Sequence, residues 1–202
     1  MTGQNRSARV TTLPNLLGLG RILATPVVMA LLLLPFAGAG LIGFVVFTVA
    51  AGTDWFDGRI ARSRGQVTPL GVFMDLTADK VLAAGVLIAM VQVALLPGWL
   101  VAILVIRELV VAGVRQLAAS ASVVIAARVL GKWKTVATNV AIAVLLLAYD
   151  GLKGGPIEQL NITPGLQLIG AWAALVAALL AIASGWDYLK GALPILLGRE
   201  PD

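Results

Sequence analysis

The sequence has no cysteine and no histidine, and only 12% of its 202 residues are charged. The missing cysteine excludes disulfides, thiol catalysis and thiolate-bound metals. Without histidine there is no imidazole to serve as acid, base or ligand, so any proton transfer or metal binding falls to other groups, carboxylates above all. What fills the chain instead is apolar: 59% of residues are hydrophobic and the mean hydropathy is +0.97, more than a soluble domain of this length needs. No internal repeat, low-complexity tract or shift of composition divides it, so residues 1–202 read as a single transmembrane domain.

Runs long enough to cross about 30 Å of hydrocarbon as helices occur six times, near 14–36, 40–62, 70–95, 97–118, 130–149 and 166–189. A lipid-exposed backbone must satisfy its own hydrogen bonds. The expected fold class is therefore all-α, a polytopic membrane protein with six transmembrane helices. Basic residues set the orientation. Arg6 and Arg9 precede the first span, Arg59, Arg62 and Arg64 end the second, Arg128, Lys132 and Lys134 precede or open the fifth, and Lys190 and Arg199 follow the sixth. The opposite loops, around Ala37, Pro97 and Gly151, hold only Lys153. Lys and Arg in short loops are retained inside, which predicts cytoplasmic termini and a multi-pass protein of the cell membrane.

Arg6, Arg9, an apolar run and Ala37-Gly38-Ala39 imitate a cleaved signal peptide. The run exceeds the ~7–15 residues of such a segment and contains Arg21 and Pro26, so a retained first helix is expected. The net charge of +5 and pI of about 10.1 come mainly from the flanking residues and suit anionic headgroups. Nothing separately indicates nucleic acid as a partner. Asn161-Ile162-Thr163 matches a glycosylation acceptor, but chance readily supplies a pattern so short. Trp55, Trp133 and Trp186 read as interfacial anchors.

Against this background four carboxylates stand out: Asp54, Asp57, Asp75 and Asp79 lie inside apolar spans. Ionised groups there are costly and mark a site where they bind a cation or one another. Asp54 and Asp57 are three apart and Asp75 and Asp79 four apart, so each pair projects from one helix face. Counted at about 1.5 Å per residue back from Arg62 and forward from Leu70, Asp54 and Asp79 lie roughly 12 to 14 Å deep and Asp57 and Asp75 roughly 7 Å. On antiparallel helices the carboxylates would pair off by depth. Gathered without a counter-charge they would repel and stay protonated. An all-oxygen cluster suits Mg²⁺ or Mn²⁺, and four carboxylates suffice for two ions. Gly58 and Gly71 leave room beside the cluster for backbone or ligand, and the planar fork of Arg62 suits a phosphate. Helix packing and a topogenic charge are the plainer readings of the same three residues.

Written out, the segment is D-x2-D-G-x2-A-R-x8-G-x3-D-x3-D, filled by Asp54, Asp57, Gly58, Ala61, Arg62, Gly71, Asp75 and Asp79. It resembles the signature of the CDP-alcohol phosphotransferases, membrane enzymes that join a CDP-linked donor to an alcohol and release CMP. The resemblance implies that Asp54, Asp57 and Asp75 ligate metal, that Asp79 ligates one metal and takes the acceptor's hydroxyl proton, and that Gly58, Arg62 and Thr68 hold the CDP moiety. It also implies a homodimer.

Three further stretches are similar to the branch of that family with CDP-diacylglycerol as donor and glycerol 3-phosphate as acceptor. They are Pro14-Asn15-Leu16-Leu17 with Arg21 and Pro26, IRELVVAGVRQLAA from Ile106 to Ala119, and GKWKT from Gly131 to Thr135. Gly18 departs from the pattern, where threonine is usual. On this resemblance Arg115 and Lys134, with Arg107, hold the acceptor's phosphate. The residues by themselves allow a plainer reading, with Arg107 and Glu108 as an orienting ion pair and Arg115 and Lys134 as positive-inside anchors. Other expectations stay open: a sibling enzyme with an inositol phosphate or phosphatidylglycerol acceptor, a cation transporter using intramembrane aspartates, or a silent scaffold. The absence of a repeat and the position of the cluster at the cytosolic end speak against transport, and the intact signature against a scaffold.

Overall fold

The computed structural model describes residues 13–34, 36–64, 69–120 and 129–196, with side chains over 16–34, 36–53, 77–120 and 129–193. Six α-helices follow one another: α1 (Leu13–Leu33), α2 (Ala39–Arg64), α3 (Pro69–Gln92), α4 (Gly98–Ser120), α5 (Val129–Leu152) and α6 (Thr163–Leu196). Among the described residues there is no strand. Each helix matches one expected apolar run, with ends displaced by a few residues. The exception is α6, which runs through 34 residues, about 51 Å at 1.5 Å per residue. It begins a few residues before the expected run, 166–189, and continues past it through Lys190 to Leu196.

The sequence reading did not anticipate the short 3-10 helix Pro156–Leu160 between α5 and α6. Pro156 opens it, where a missing N–H does no harm. Asn161 closes it at φ 54°, a left-handed conformation that asparagine tolerates better than most residues. The Asn of the glycosylation-like triplet thus has a local structural duty.

Packing divides the helices into two groups. α5 lies along α6 and α4 also packs on α6, while α1 packs on α3 and on α2; the α2–α5 contact, with smaller ones of α3 on α4 and α5, joins the groups. Lipid-borne helices gain little from apolar burial against one another, so close approach of small residues matters more. Ala174, Ala177, Ala178 and Ala181 form a buried stripe on α6 at i, i+3, i+4, i+7 spacing. A Cβ on Gly170 would stand 2.6 Å from Leu145 Cγ, and one on Gly85 2.5 Å from Thr25 Cγ2; both glycines mark helix crossings no side chain would fit.

The outer surface is the inverse of a soluble protein's. Leu23, Leu109, Leu168 and Leu179 are about as exposed as Trp99, Trp133, Trp172 and Trp186, each 60% accessible. So extensive an apolar exterior belongs in lipid. Within the described residues α1, α5 and α6 are long and apolar enough to cross a membrane by composition alone, and α2 has a shorter apolar stretch at Ala39–Thr53. α4 carries Arg107, Glu108 and Arg115 inside its run.

Candidate active site

The signature lies along two consecutive helices. Asp54, Asp57, Gly58 and Arg62 are on the last turns of α2, Asp75 and Asp79 on the first turns of α3. Asp54 and Asp79 are equally far from the facing ends, Arg64 and Pro69, and Asp57 and Asp75 nearly so. Counted along the chain, the pairs are thus matched in their distance from those two helix ends. The side chains of Asp54, Asp57, Arg62 and Asp75, and the surroundings of Gly58, lie outside the described residues, as Thr68 does altogether. Asp79 is described: it is partly buried, next to the fully buried Ala78 and one turn before Leu82, also buried. With no histidine or cysteine in the chain, the donors are carboxylate oxygens, which fit a hard divalent ion and not a soft one.

A second group of charges sits where α4, α5 and α6 meet. Arg107 Nη1 donates to Glu108 Oε1 at 2.8 Å, and Lys134 Nζ donates to the same oxygen at 2.6 Å. Arg107 Nη2 donates to Ser184 Oγ at 2.9 Å, and Arg115 Nη2 to the hydroxyl oxygen of Tyr188 at 2.6 Å. The Tyr188 ring lies between the two guanidinium groups, 5.7 Å from that of Arg107 and 5.1 Å from that of Arg115, within cation–π range. Ser184 and Tyr188 are four apart on α6, which places both on the face that meets α4.

Arg107 is held tightly. A Cβ on Gly131 would come within 3.3 Å of its Nη2, and one on Gly185 within 3.3 Å of its Cγ. The glycine that opens the GKWKT stretch is thus part of the arginine's cradle. The Arg107 side chain is only 10% exposed, and its Nε makes no hydrogen bond among the described residues. Lys134 is buried too, whereas Arg115 is exposed. The ion pair foreseen as the plainer reading of Arg107 and Glu108 therefore exists, and the same carboxylate also holds Lys134. Arg107, Arg115 and Lys134, expected together at an acceptor phosphate, do gather in one region, and within this group of four cations outnumber carboxylates three to one.

A cavity of about 410 Å³ opens between α1 and α2. Its lining is apolar apart from Arg21 and Thr53; Arg21 is 1% exposed. Gly18, at the position where threonine is usual, is buried on the same helix.

Sequence reasoning passed over Ser184 and Tyr188, although two polar residues one turn apart at the end of an apolar helix are a visible signal. It also passed over Asp150, which is fully buried. Asp150 accepts from the backbone N–H of Leu41 at 3.0 Å and of Ile157 at 3.1 Å.

Apolar-faced helices, an aspartate signature divided between two of them and a cluster of cations on three others define a phosphotransferase of membrane substrates, and comparison with known proteins bears this out. The family model described as CDP-alcohol phosphatidyltransferase matches residues 11–189, and the chain belongs to that family. It is 37% identical over 190 residues to the CDP-diacylglycerol--glycerol-3-phosphate 3-phosphatidyltransferase of Bacillus subtilis, covering 88% of this chain and 93% of that one. The protein of the same name from Salmonella choleraesuis is 40% identical over 196 residues, 93% and 98% of the two chains. A cardiolipin synthase (CMP-forming) from rice is 34% identical over 205 residues, 94% of this chain and 60% of the longer rice chain.

Proposed function

We propose that the protein transfers the phosphatidyl group of CDP-diacylglycerol to sn-glycerol 3-phosphate, giving phosphatidylglycerophosphate and CMP. Relatives from two bacteria that bear this activity in their names support the reaction. The observation that carries the acceptor is the excess of cations where α4, α5 and α6 meet, with Arg107, Arg115 and Lys134 against Glu108. A phosphate monoester bears between one and two negative charges near neutral pH and matches that excess. An uncharged alcohol does not.

In this reading Asp54, Asp57, Asp75 and Asp79 hold two divalent ions, Mg²⁺ or Mn²⁺. Bound there, the ions supply charge stabilisation for the diphosphate and the leaving CMP and acidify the acceptor hydroxyl. Gly58, Arg62 and Thr68 seat the CDP moiety. Arg115 and Lys134 grip the acceptor's phosphate, with Arg107 behind them, so that its hydroxyl points to the phosphorus bearing diacylglycerol. Asp79 takes the hydroxyl proton as the new P–O bond forms and the bond to the CMP oxygen breaks. All six helices cross the membrane, both termini lie in the cytoplasm and the site opens to the cytosol, where CDP-linked donors and glycerol 3-phosphate are supplied. The functional unit is a homodimer.

A second reading takes phosphatidylglycerol as acceptor, favoured by the likeness to the rice cardiolipin synthase. The cation excess speaks against it, since a phosphodiester carries a single charge. The test is CMP release by purified protein given CDP-diacylglycerol, Mg²⁺ or Mn²⁺ and one acceptor at a time. Release with glycerol 3-phosphate, far above that with glycerol, an inositol phosphate or phosphatidylglycerol, is expected. Efficient use of phosphatidylglycerol overturns the first reading in favour of the second, and efficient use of glycerol overturns both.

A further inference from the structure

Glu108 is a carboxylate placed among groups whose task, as read above, is to hold an anion. We propose that it is a specificity-determining residue. It sets the surplus of the acceptor pocket at two positive charges, so that a phosphate monoester is held firmly enough to react and loosely enough to leave. The proposal rests on the reading of glycerol 3-phosphate as acceptor.

A carboxylate inside an apolar helix needs a reason, and orienting Arg107 is not a sufficient one. That guanidinium is already fixed by Ser184 Oγ at 2.9 Å, by the Tyr188 ring and by the close approach of Gly131 and Gly185. What Glu108 adds is neutralisation: Nη1 of Arg107 and Nζ of Lys134 converge on its Oε1 at 2.8 and 2.6 Å. Its side chain is 26% exposed, against 10% and 7% for the two cations. The carboxylate thus forms the outer part of the cluster, where a ligand arrives. An ammonium carries three donors, and Lys134 gives one to Glu108, so a phosphate oxygen can bind Lys134 without displacing the carboxylate. Arg115 stands about two turns further along the same face of α4, its Nη2 on the Tyr188 hydroxyl at 2.6 Å.

The reaction itself says why a larger surplus would be worse. Transfer leaves the phosphate monoester of glycerol 3-phosphate untouched, and the product carries it unchanged. A stronger grip on that group is therefore an equally strong grip on the product. Uniform binding of this kind lowers KM without raising kcat, and slow release then limits turnover. Near neutral pH a monoester bears between one and two negative charges. Three cations tempered by one carboxylate match its dianion. Three alone would favour more highly charged anions such as diphosphates, which a fixed negative charge beside the ligand repels.

The test uses Glu108→Gln, whose amide oxygen can still accept from Arg107 and Lys134 although the charge is gone. Inorganic phosphate should inhibit CMP release by this variant at about tenfold lower concentration than in wild type, a difference of about 1.4 kcal/mol. KM for glycerol 3-phosphate and kcat should fall together. Glu108→Asp, which keeps the charge, should stay near wild type. Unchanged or weaker inhibition in Glu108→Gln would make the carboxylate a structural brace and overturn the proposal; so would a Glu108→Asp that behaves like Glu108→Gln. If Glu108→Gln does not elute as a single species in detergent, the double variant Arg107→Gln/Glu108→Gln is read instead. It removes one charge of each sign, a change buried pairs often tolerate, and the surplus stays at two. Phosphate inhibition within about threefold of wild type, about 0.7 kcal/mol, is then expected, and a larger change in either direction overturns the charge account. A further measurement does not need turnover: inorganic phosphate should raise the melting temperature of Glu108→Gln more than that of wild type, and equal shifts count against the proposal. Wild type that releases no CMP with glycerol 3-phosphate would sink the acceptor reading, while the phosphate-dependent melting shifts would still decide the charge of the pocket.

Discussion

Glu108 holds two cations with a single oxygen, and that makes it the most exposed point of failure among the charged residues. Removing one member of a buried pair leaves its partners uncompensated, typically at 3 to 5 kcal/mol. Glu108→Leu should therefore lower the melting temperature in detergent more than Arg115→Ala, whose guanidinium is exposed. Arg115→Ala should instead raise KM for glycerol 3-phosphate ten- to a hundredfold, the worth of a charged hydrogen bond of about 1.5 to 3 kcal/mol, and leave KM for CDP-diacylglycerol unmoved. Movement of both constants would reduce Arg115 to a topological anchor. In the proposed mechanism Asp79 differs from its three companions by acting as base. Asp54→Asn, Asp57→Asn and Asp75→Asn should each cut turnover by orders of magnitude, and Asp79→Asn should keep more donor binding than turnover. At this scale the sequence was most legible where chemistry is dense. Four aspartates in apolar spans admit few explanations, whereas Tyr188 is an ordinary aromatic until α4 is laid beside α6.

At the scale of elements, the helices were legible because lipid allows few alternatives to helix, and Gly, Pro and charge mark where the runs stop. The joints between them were not. Asp150 reads in sequence as a polar residue at the end of a span, yet one of its partners is 109 residues away. Its carboxylate satisfies the N–H of Leu41 in the first turn of α2 and that of Ile157 in the 3-10 helix. Both are amides at helix N-termini with no partner within their own helix, and both ends favour a negative charge. A Cβ on Gly155 would collide with that carboxylate, and one on Gly40 with the backbone of Asp150. On the same turn Tyr149 donates to the carbonyl of Leu32 at 2.5 Å, tying α5 to the end of α1. Asp150→Ala should therefore cost about 1 to 3 kcal/mol of stability, seen as a lower melting temperature, with the KM values for both substrates unchanged. A change in either KM would mean that the clasp also shapes the site.

For the molecule as a whole, orientation is the property that sequence reads through charge alone. The absence of cysteine makes the test simple. A cysteine at Ser63 should react with an impermeant reagent only from the cytosolic side, and one at Gly154 only from the outside; the reverse would turn the site away from its nucleotide. Chelation supplies the other whole-molecule test, since removing divalent ions should abolish CMP release and Mg²⁺ or Mn²⁺ restore it. The division of the helices into α1–α3 and α4–α6, joined chiefly at the α2–α5 contact and also where α3 meets α4 and α5, has a kinetic consequence. One half bears the proposed donor site and the other the proposed acceptor site, so each substrate can dock on a half that is internally sound while the reacting atoms still miss each other. Alignment then becomes a property of the seam, and along its α2–α5 part Gly40 lets α2 lie against the backbone of Asp150. A bulkier residue at Gly40 would act as a wedge, leaving two competent halves out of register.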